Sequence, residues 1–445
     1  MNKASRQHSK LSQWRNLLPR LRQLGPGLIT GAADDDPSGI ATYSQAGAQF
    51  GYSMLWTMVF TLPLMVAIQL VSARIGFVTR QGLAANIKTS FPRWVLIAVV
   101  GLLLVANTLN LAADIAAMAE ALRLLVGGSA HVYAVSFGLL CLVLQVFLPY
   151  RSYVRWLKWL TLALLAYVAV VFTLHLDWWQ VARAVVHPHL VLGHEVLLMV
   201  VAVFGTTISP YLFFWQAAQE MEDTAPTPTP THANPSASAG ASPAAPPTAH
   251  AVRRHLRRIK VDTVIGMGFS NLIAFFIILS TAATLHAAGV TNIQTSAQAA
   301  EALRPLAGDL TFLLFSLGII GTGLLAVPVL AGSAAYAVAE AAGWHGSLSL
   351  RLDKGEGRGF YAVIAVATVG GVLLCFSSMD PVKQLFWSAV LNGVIAVPIM
   401  VVMMLLASRR ATMGEHVIGS GLRWLGWLAT AVMALTVLAL FLTSF

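Results

Sequence analysis

Ala33-Asp34-Asp35-Asp36-Pro37-Ser38-Gly39 is the stretch on which the reading of this chain turns. Three adjacent carboxylates and a helix breaker lie inside an otherwise apolar run, Leu28 to Phe50. A charge at bilayer depth costs roughly 2.5–3.5 kcal/mol even on insertion scales, and chains that keep one use it on an ion or substrate path. Pro37 removes a backbone donor and Gly39 loosens the chain, so a helix is expected to break here. A broken helix carrying a carboxylate at mid-membrane is how many secondary transporters build an ion site. The alternative, a cytoplasmic loop before the first span, fits poorly because apolar sequence continues on both sides.

Composition agrees with a membrane setting. The 445 residues are 57% hydrophobic and 10% charged, with a mean hydropathy of +0.73. Soluble domains carry about 25% charge. The chain therefore reads as an all-α polytopic membrane protein. With about 20 apolar residues needed per span, eleven transmembrane helices are predicted, near 27–50, 54–78, 94–122, 132–149, 156–176, 193–219, 259–286, 309–340, 360–376, 384–407 and 424–444. The basic N-terminus lacks a small-residue cleavage site, so no removable signal peptide is expected. Cys141 and Cys375 each fall inside an apolar span and read as lipid- or core-facing rather than paired.

The net charge of +10 does not point to nucleic acid, because of where it lies. With the N-terminus inside, 24 of the 28 Lys and Arg fall in cytoplasmic segments, leaving Arg123, Arg183, Arg304 and Lys383 at outer ends. That asymmetry is the positive-inside pattern. An odd number of spans then puts the C-terminus outside, and the host membrane reads as a bacterial inner membrane.

Residues 1–24 form a basic cytoplasmic tail, either lying on the anionic inner leaflet or solvated. Residues 25–221 hold spans one to six. Residues 222–250, rich in Pro, Ala, Ser and Thr, read as a disordered cytoplasmic linker that cannot bury a core. Residues 251–445 hold spans seven to eleven. A second interrupted span precedes the linker, Gly205-Thr206-Thr207-Ile208-Ser209-Pro210-Tyr211. Pro210 alone would read as an ordinary kink. Paired with Pro37 five spans earlier, in a helix of opposite direction, it suggests an inverted repeat with a site at the interface.

Gly25-Pro26-Gly27, Asp36-Pro37-Ser38-Gly39 and Gln45-Ala46-Gly47-Ala48-Gln49-Phe50-Gly51-Tyr52 together resemble the Nramp family of divalent-metal transporters. The resemblance covers residues 25–445 apart from the linker. It implies a LeuT-type fold of two inverted five-helix repeats with helices 1 and 6 broken. The departures are informative. The Asn of the family's Asp-Pro-Gly-Asn is Gly39 here. Its methionine before Pro-His is Ser209, its histidine is Tyr211, and its metal-contacting alanine is Thr206. In the third span Asp114 is kept, but the Glu three residues on is Ala117. These substitutions resemble the Nramp-related magnesium transporter branch, which lacks the thioether ligand and the proton-relay groups.

The residues themselves point to a hard ion. Asp36 is an anionic oxygen, and Thr206 and Ser209 at i and i+3 share a helix face. Backbone carbonyls freed near Ala33 and Thr206 add oxygen, and Gly39 makes room. Oxygen donors suit Mg²⁺, Ca²⁺ and Mn²⁺, and Mg²⁺ keeps several of its waters when bound. The candidate metal residues are thus Asp36, Ala33, Gly39, Thr206 and Ser209. Asp35 and Asp34 are pathway candidates; three adjacent carboxylates cannot share one helix face. Asn107, Asn110 and Asp114 form one stripe of span three, which either lines a path or only glues helices together. Asn392 is a further lining candidate. Glu120 and Glu340 are expected to meet solvent, and no histidine array suggests a zinc enzyme.

The expected function is import of a divalent cation, Mg²⁺ and also Mn²⁺, by alternating access without proton coupling. No cofactor, catalysis or nucleic-acid partner is expected; the substrate cation and the bilayer are the partners, and the sequence leaves the oligomeric state open, a monomer included. The rival readings are a proton-coupled Mn²⁺/Fe²⁺ symporter and a LeuT-type transporter of an organic amine or amino acid.

Overall fold

The computed structural model describes residues 26–147, 161–188, 193–224, 249–344, 346–348, 350, 356–377 and 379–443. The basic tail 1–24, most of the linker (225–248) and the start of the fifth expected span (156–160) lie outside the described residues. Among the described residues every regular element is helical.

The chain enters the bundle as α1 (Pro26–Asp34), stops at the acidic triplet, and restarts as α2 (Pro37–Phe50). The local sequence dictates the break. Pro37 suits a first helical turn, where its missing N–H would have no intrahelical partner anyway. Asp36, in extended geometry, caps the new helix by accepting from Gly39 N. Gly51 closes α2 at φ +57°, a conformation that favours glycine. This explains the glycine of the Phe50-Gly51-Tyr52 run. A short turn then leads into α3 (Leu55–Thr79).

Next come α4 (Leu83–Ser90), α5 (Arg93–Val126) and α6 (Ala130–Phe147). The pair α7 (Leu165–Thr173) and α8 (Trp178–Val186) follows. Then α9 (His194–Thr207) stops and α10 (Pro210–Thr224) begins at the second proline, repeating the grammar of the first break. The rest is α11 (Ala249–Thr281), α12 (Thr311–Ala342), α13 (Arg358–Leu374), α14 (Pro381–Ser408) and α15 (Ser420–Thr443).

Among the described residues, eight helices are long and apolar enough to cross a membrane, or up to nine if the α7–α8 pair, bent by 116°, counts as one span. The eleven expected segments map onto these. The first two run together as one 43-residue stretch, Pro37–Thr79, and the ninth, Arg358–Leu374, is a shorter apolar helix. Cys141 and Cys375 are free thiols.

Half-helix α1 is held by two devices. Asp262 of α11 accepts from Gly27 N at 2.8 Å, anchoring its start. Gly27, Gly31 and Gly266 then let the two backbones touch: a Cβ built on Gly31 would lie 2.3 Å from the Gly266 carbonyl carbon and oxygen. Small residues at such crossings are what close packing of membrane helices requires. Overpacking a fitted contact costs roughly 1–3 kcal/mol. Gly31→Val is therefore expected to lower the thermal unfolding temperature of the purified protein, and Gly31→Ala to lower it less. Unchanged melting of both variants would contradict this contact.

Candidate metal centre

The two helix breaks meet. The Tyr211 hydroxyl at the start of α10 donates to the Ala33 carbonyl at 3.1 Å and lies 3.4 Å from Asp36 Oδ2. Asp36 Oδ1 accepts from Gly39 N at 2.7 Å and from Ser38 Oγ at 2.8 Å. A Cβ built on Gly39 would stand 3.1 Å from Thr206 Oγ1 and 3.4 Å from Asp36 Oδ1. The missing side chain of Gly39 thus leaves a narrow gap, smaller than a methyl group needs, between the carboxylate of the first break, the hydroxyl of the second and the Tyr43 ring, whose Cε2 would stand 3.3 Å from the same point. Asp36 and Thr206 are 2% and 1% exposed, so the gap is sealed from bulk water.

Ser209 has turned its proton inward. Its Oγ donates to the carbonyls of Gly205 and Thr206, each at 2.9 Å, capping the end of α9. A hydroxyl that donates back to its own helix keeps its lone pairs for an outside partner. The Ala33 carbonyl, holding the Tyr211 proton, likewise keeps one lone pair. The ends of α1 and α9 also bring the partial negative charge of a helix C-terminus, which favours a cation.

The remaining candidates divide. Asp114, fully buried on α5 with no hydrogen-bond partner in good geometry for either carboxylate oxygen, lies beside the Ser38 backbone and Asp36. Asn107 donates to Leu330 O at 2.9 Å and Ser333 Oγ at 2.7 Å, joining α5 to α12. Asn110 donates to Asn392 Oδ1 at 3.0 Å, joining α5 to α14. The stripe of span three thus serves as interhelical glue at its first two positions and faces the break at its third. Glu340, expected in solvent, turns inward instead. Its Oε2 accepts from Ala85 N at 3.1 Å, near the start of α4, because an amide there lacks an intrahelical partner. Glu120 pairs with Arg123 at 2.5 Å.

Several residues at the centre had no distinct sequence signal. Ser270 of α11 sits between two carboxylates, with its Oγ 2.7 Å from Asp34 Oδ2 and 2.9 Å from Asp35 Oδ1. Tyr43 of α2 lies next to Gly39. Ser38 was legible in principle, since a hydroxyl two residues after an N-cap aspartate commonly bonds back to it.

Among the described residues, no three His, Cys, Asp or Glu side chains group in a way that could hold a metal. What the breaks offer is the Asp36 carboxylate with Asp114 beside it, hydroxyls and carbonyls. Such a donor set suits hard cations over soft transition metals.

Two voids lie between this centre and one end of the bundle. A cavity of about 250 Å³ is lined by Gln45, Gln49, Glu195, Asn292, Lys383 and Trp387, among others. A narrow void below it, sharing Ala41, Ile293 and Val382, reaches Ile40 and Ala117, one helical turn from Asp36 and Asp114.

Comparison with known proteins agrees with the fold. The divalent metal cation transporter MntH of Yersinia pestis (strain Pestoides F) is 26% identical over 311 residues, 68% of this chain and 69% of that protein. MntH of Yersinia pseudotuberculosis serotype O:1b (strain IP 31758) matches equally. The Eremococcus coleocola manganese transporter, solved with an aromatic bis-isothiourea substituted compound, superposes with a TM-score of 0.69 at 17% identity, covering 93% of this chain and 85% of that one. Mhp1, a nucleobase-cation-symport-1 family transporter in a closed conformation, gives 0.55 at 13% identity over 95% and 92% of the two chains. The model of the natural resistance-associated macrophage protein-like family matches residues 27–443. This polytopic chain, with its LeuT-type fold and paired helix breaks, belongs to the Nramp family.

Proposed function

We propose that the protein imports divalent cations, Mg²⁺ and also Mn²⁺, across a bacterial inner membrane by alternating access about Asp36, without a coupled proton. The observation that carries this reading is the gap at Gly39 between Asp36 and Thr206. The Asp36 and Thr206 oxygens that border it beside the Tyr43 ring are the hard donors that suit an ion such as Mg²⁺, which is commonly held through one carboxylate and its own waters. Asp36 supplies the charge. Ala33 O, Thr206 Oγ1 and Ser209 Oγ supply neutral oxygens, and Gly39 supplies room.

The positive-inside count supports a cytoplasmic N-terminus, which makes the cavity at Gln49, Glu195 and Lys383 the outer vestibule. The names of the relatives support a divalent metal as cargo and manganese among the ions carried. The same names are equally compatible with the second reading, a proton-coupled Mn²⁺/Fe²⁺ symporter.

The two readings part on the proton. Relays through membranes are chains of Asp, Glu or His. Here Tyr211 stands where the family has histidine, and Ala117 where it has glutamate. The membrane potential contributes about 2.3 kcal/mol per charge per 100 mV, so a divalent ion gains about twice that and needs no co-ion. In proteoliposomes holding the full chain, a pH dye inside is expected to stay flat while Mg²⁺ or Mn²⁺ enters. Acidification that follows the cation dose and disappears in Asp36→Ala would establish the symporter instead.

A further inference from the structure

We propose that Glu195 of α9 and Lys383 of α14 are the closing pair of the outer gate, the contact that shuts the vestibule once a cation has entered. The inference rests on the reading of that cavity as the outer mouth of a cation path, and adds the device that closes it.

Four basic residues lie at outer ends, and three of them have local partners. Arg123 pairs with Glu120, and Arg304 with Glu301. Arg183 lies 5.7 Å from the centre of the Trp179 ring. Lys383 has no ion-pair partner among the described residues. Asp380, three residues before it, is engaged as the cap of α14, accepting from Val382 N at 2.9 Å. The place of Lys383 is unfavourable on two counts. It stands in the first turn of α14, where the helix dipole disfavours a cation. It also lines the cavity through which cations would pass, where its charge works against their capture. A contact with an anion in another state of the protein offsets both costs.

Glu195 supplies that anion from the α9 wall of the same cavity. It is exposed, and its Oε2 accepts from Gln49 Nε2 of α2 at 3.2 Å. Gln49 is a neutral donor, and an ammonium is a stronger, charge-assisted one. The helices are built to bring the two charges together. A Cβ on Gly205 of α9 would run into Ala389 O and Gly393 N of α14, so the two backbones touch there. From that contact both helices reach the same cavity. Glu195 is ten residues before Gly205 and Lys383 ten residues before Gly393, each about 15 Å along its axis at about 1.5 Å per residue. Equal arms from one contact set opposite charges at the same height. Helix α9 ends at the break and joins α10 only through Ile208 and Ser209, so it tilts about that end without bending. Tilting α9 toward α14 narrows the cavity and exchanges Gln49 for Lys383 at Glu195.

The test is the labelling rate of a cysteine placed at Ala41, which lines both the vestibule and the void below it. Right-side-out vesicles holding the full chain, with Cys141 and Cys375 replaced by alanine, are treated with a membrane-impermeant thiol reagent. Lys383→Glu and Glu195→Lys each set like charges against one another, and each is expected to raise the rate several-fold. The two reversals change the charge of the cavity in opposite senses, so a rise in both reports the gate rather than attraction of the reagent. The swap, Glu195→Lys with Lys383→Glu, restores the attraction and is expected to return the rate to near that of the parent. Rates that stay unchanged or move in opposite directions in the single reversals overturn the inference, as does a swap that labels as fast as the singles. Uptake of Mg²⁺ and Mn²⁺ by the same variants in proteoliposomes is expected to fall several-fold in the singles and to recover in the swap. Labelling that follows the expected pattern, with no uptake even by wild type, would uphold the gate and refute the cation reading.

Discussion

Asp36→Ala is expected to abolish Mg²⁺ and Mn²⁺ uptake while the protein still inserts and folds. The Asp36 carboxylate is the one that Tyr211 of the second break approaches, and a site for a divalent ion without its fixed charge loses its largest electrostatic contribution. Asp36 has a second duty, because its Oδ1 accepts from Gly39 N and Ser38 Oγ. Losing an N-cap costs about 0.5–2 kcal/mol, so the alanine variant is expected to be somewhat less stable as well as inactive. Asp36→Asn separates the two duties. Its amide oxygen still accepts from Gly39 N, so stability should return toward normal while uptake stays lost. Flux in either well-folded variant would remove Asp36 from the ion path.

The second large effect concerns selectivity. Ser209→Met combined with Gly39→Asn is expected to shift the ratio of Mg²⁺ to Cd²⁺ uptake toward Cd²⁺ by about tenfold or more, a change of about 1.4 kcal/mol. The thioether is a soft donor. The new Cβ at residue 39 would stand 3.1 Å from Thr206 Oγ1 and 3.4 Å from Asp36 Oδ1, filling the narrow gap between them. Ser209→Met alone should give a smaller shift, because the gap at Gly39 remains. Uptake ratios measured by isotope flux check this, and an unchanged ratio in the double variant would place Ser209 and Gly39 outside the site.

The breaks were legible because Pro37 and Pro210 each follow a polar residue, Asp36 and Ser209, that can satisfy backbone groups at a helix end; Pro63, Pro328 and Pro398, without that setting, lie inside α3, α12 and α14 and do not end them. Asp36 was legible because a carboxylate in an apolar run has few uses. Gly39 and Thr206 came from the family motif, and their adjacency depends on two segments more than 160 residues apart, which no local rule supplies. Ser270 was invisible for the same reason, since one serine in an apolar helix has no periodicity to betray it. The polar stripe of span three shows the limit from the other side. Helical spacing put Asn107, Asn110 and Asp114 on one face correctly. Which neighbour each would meet depended on α12 and α14, and two of the three found helix partners rather than the break. Glu340 misled because a carboxylate near a helix end ordinarily reaches water, whereas here the start of α4 offers it a free amide.

The central claim is that the oxygen donors at Asp36 carry Mg²⁺. Its most direct test is Mg²⁺ influx into proteoliposomes holding the full chain, read by an internal Mg²⁺ indicator under an inside-negative potential, with Mn²⁺ as competitor and Asp36→Asn as control. The account predicts saturable Mg²⁺ entry that Mn²⁺ competes away and that Asp36→Asn abolishes. Robust Mn²⁺ entry with no Mg²⁺ entry above that of protein-free vesicles would contradict it.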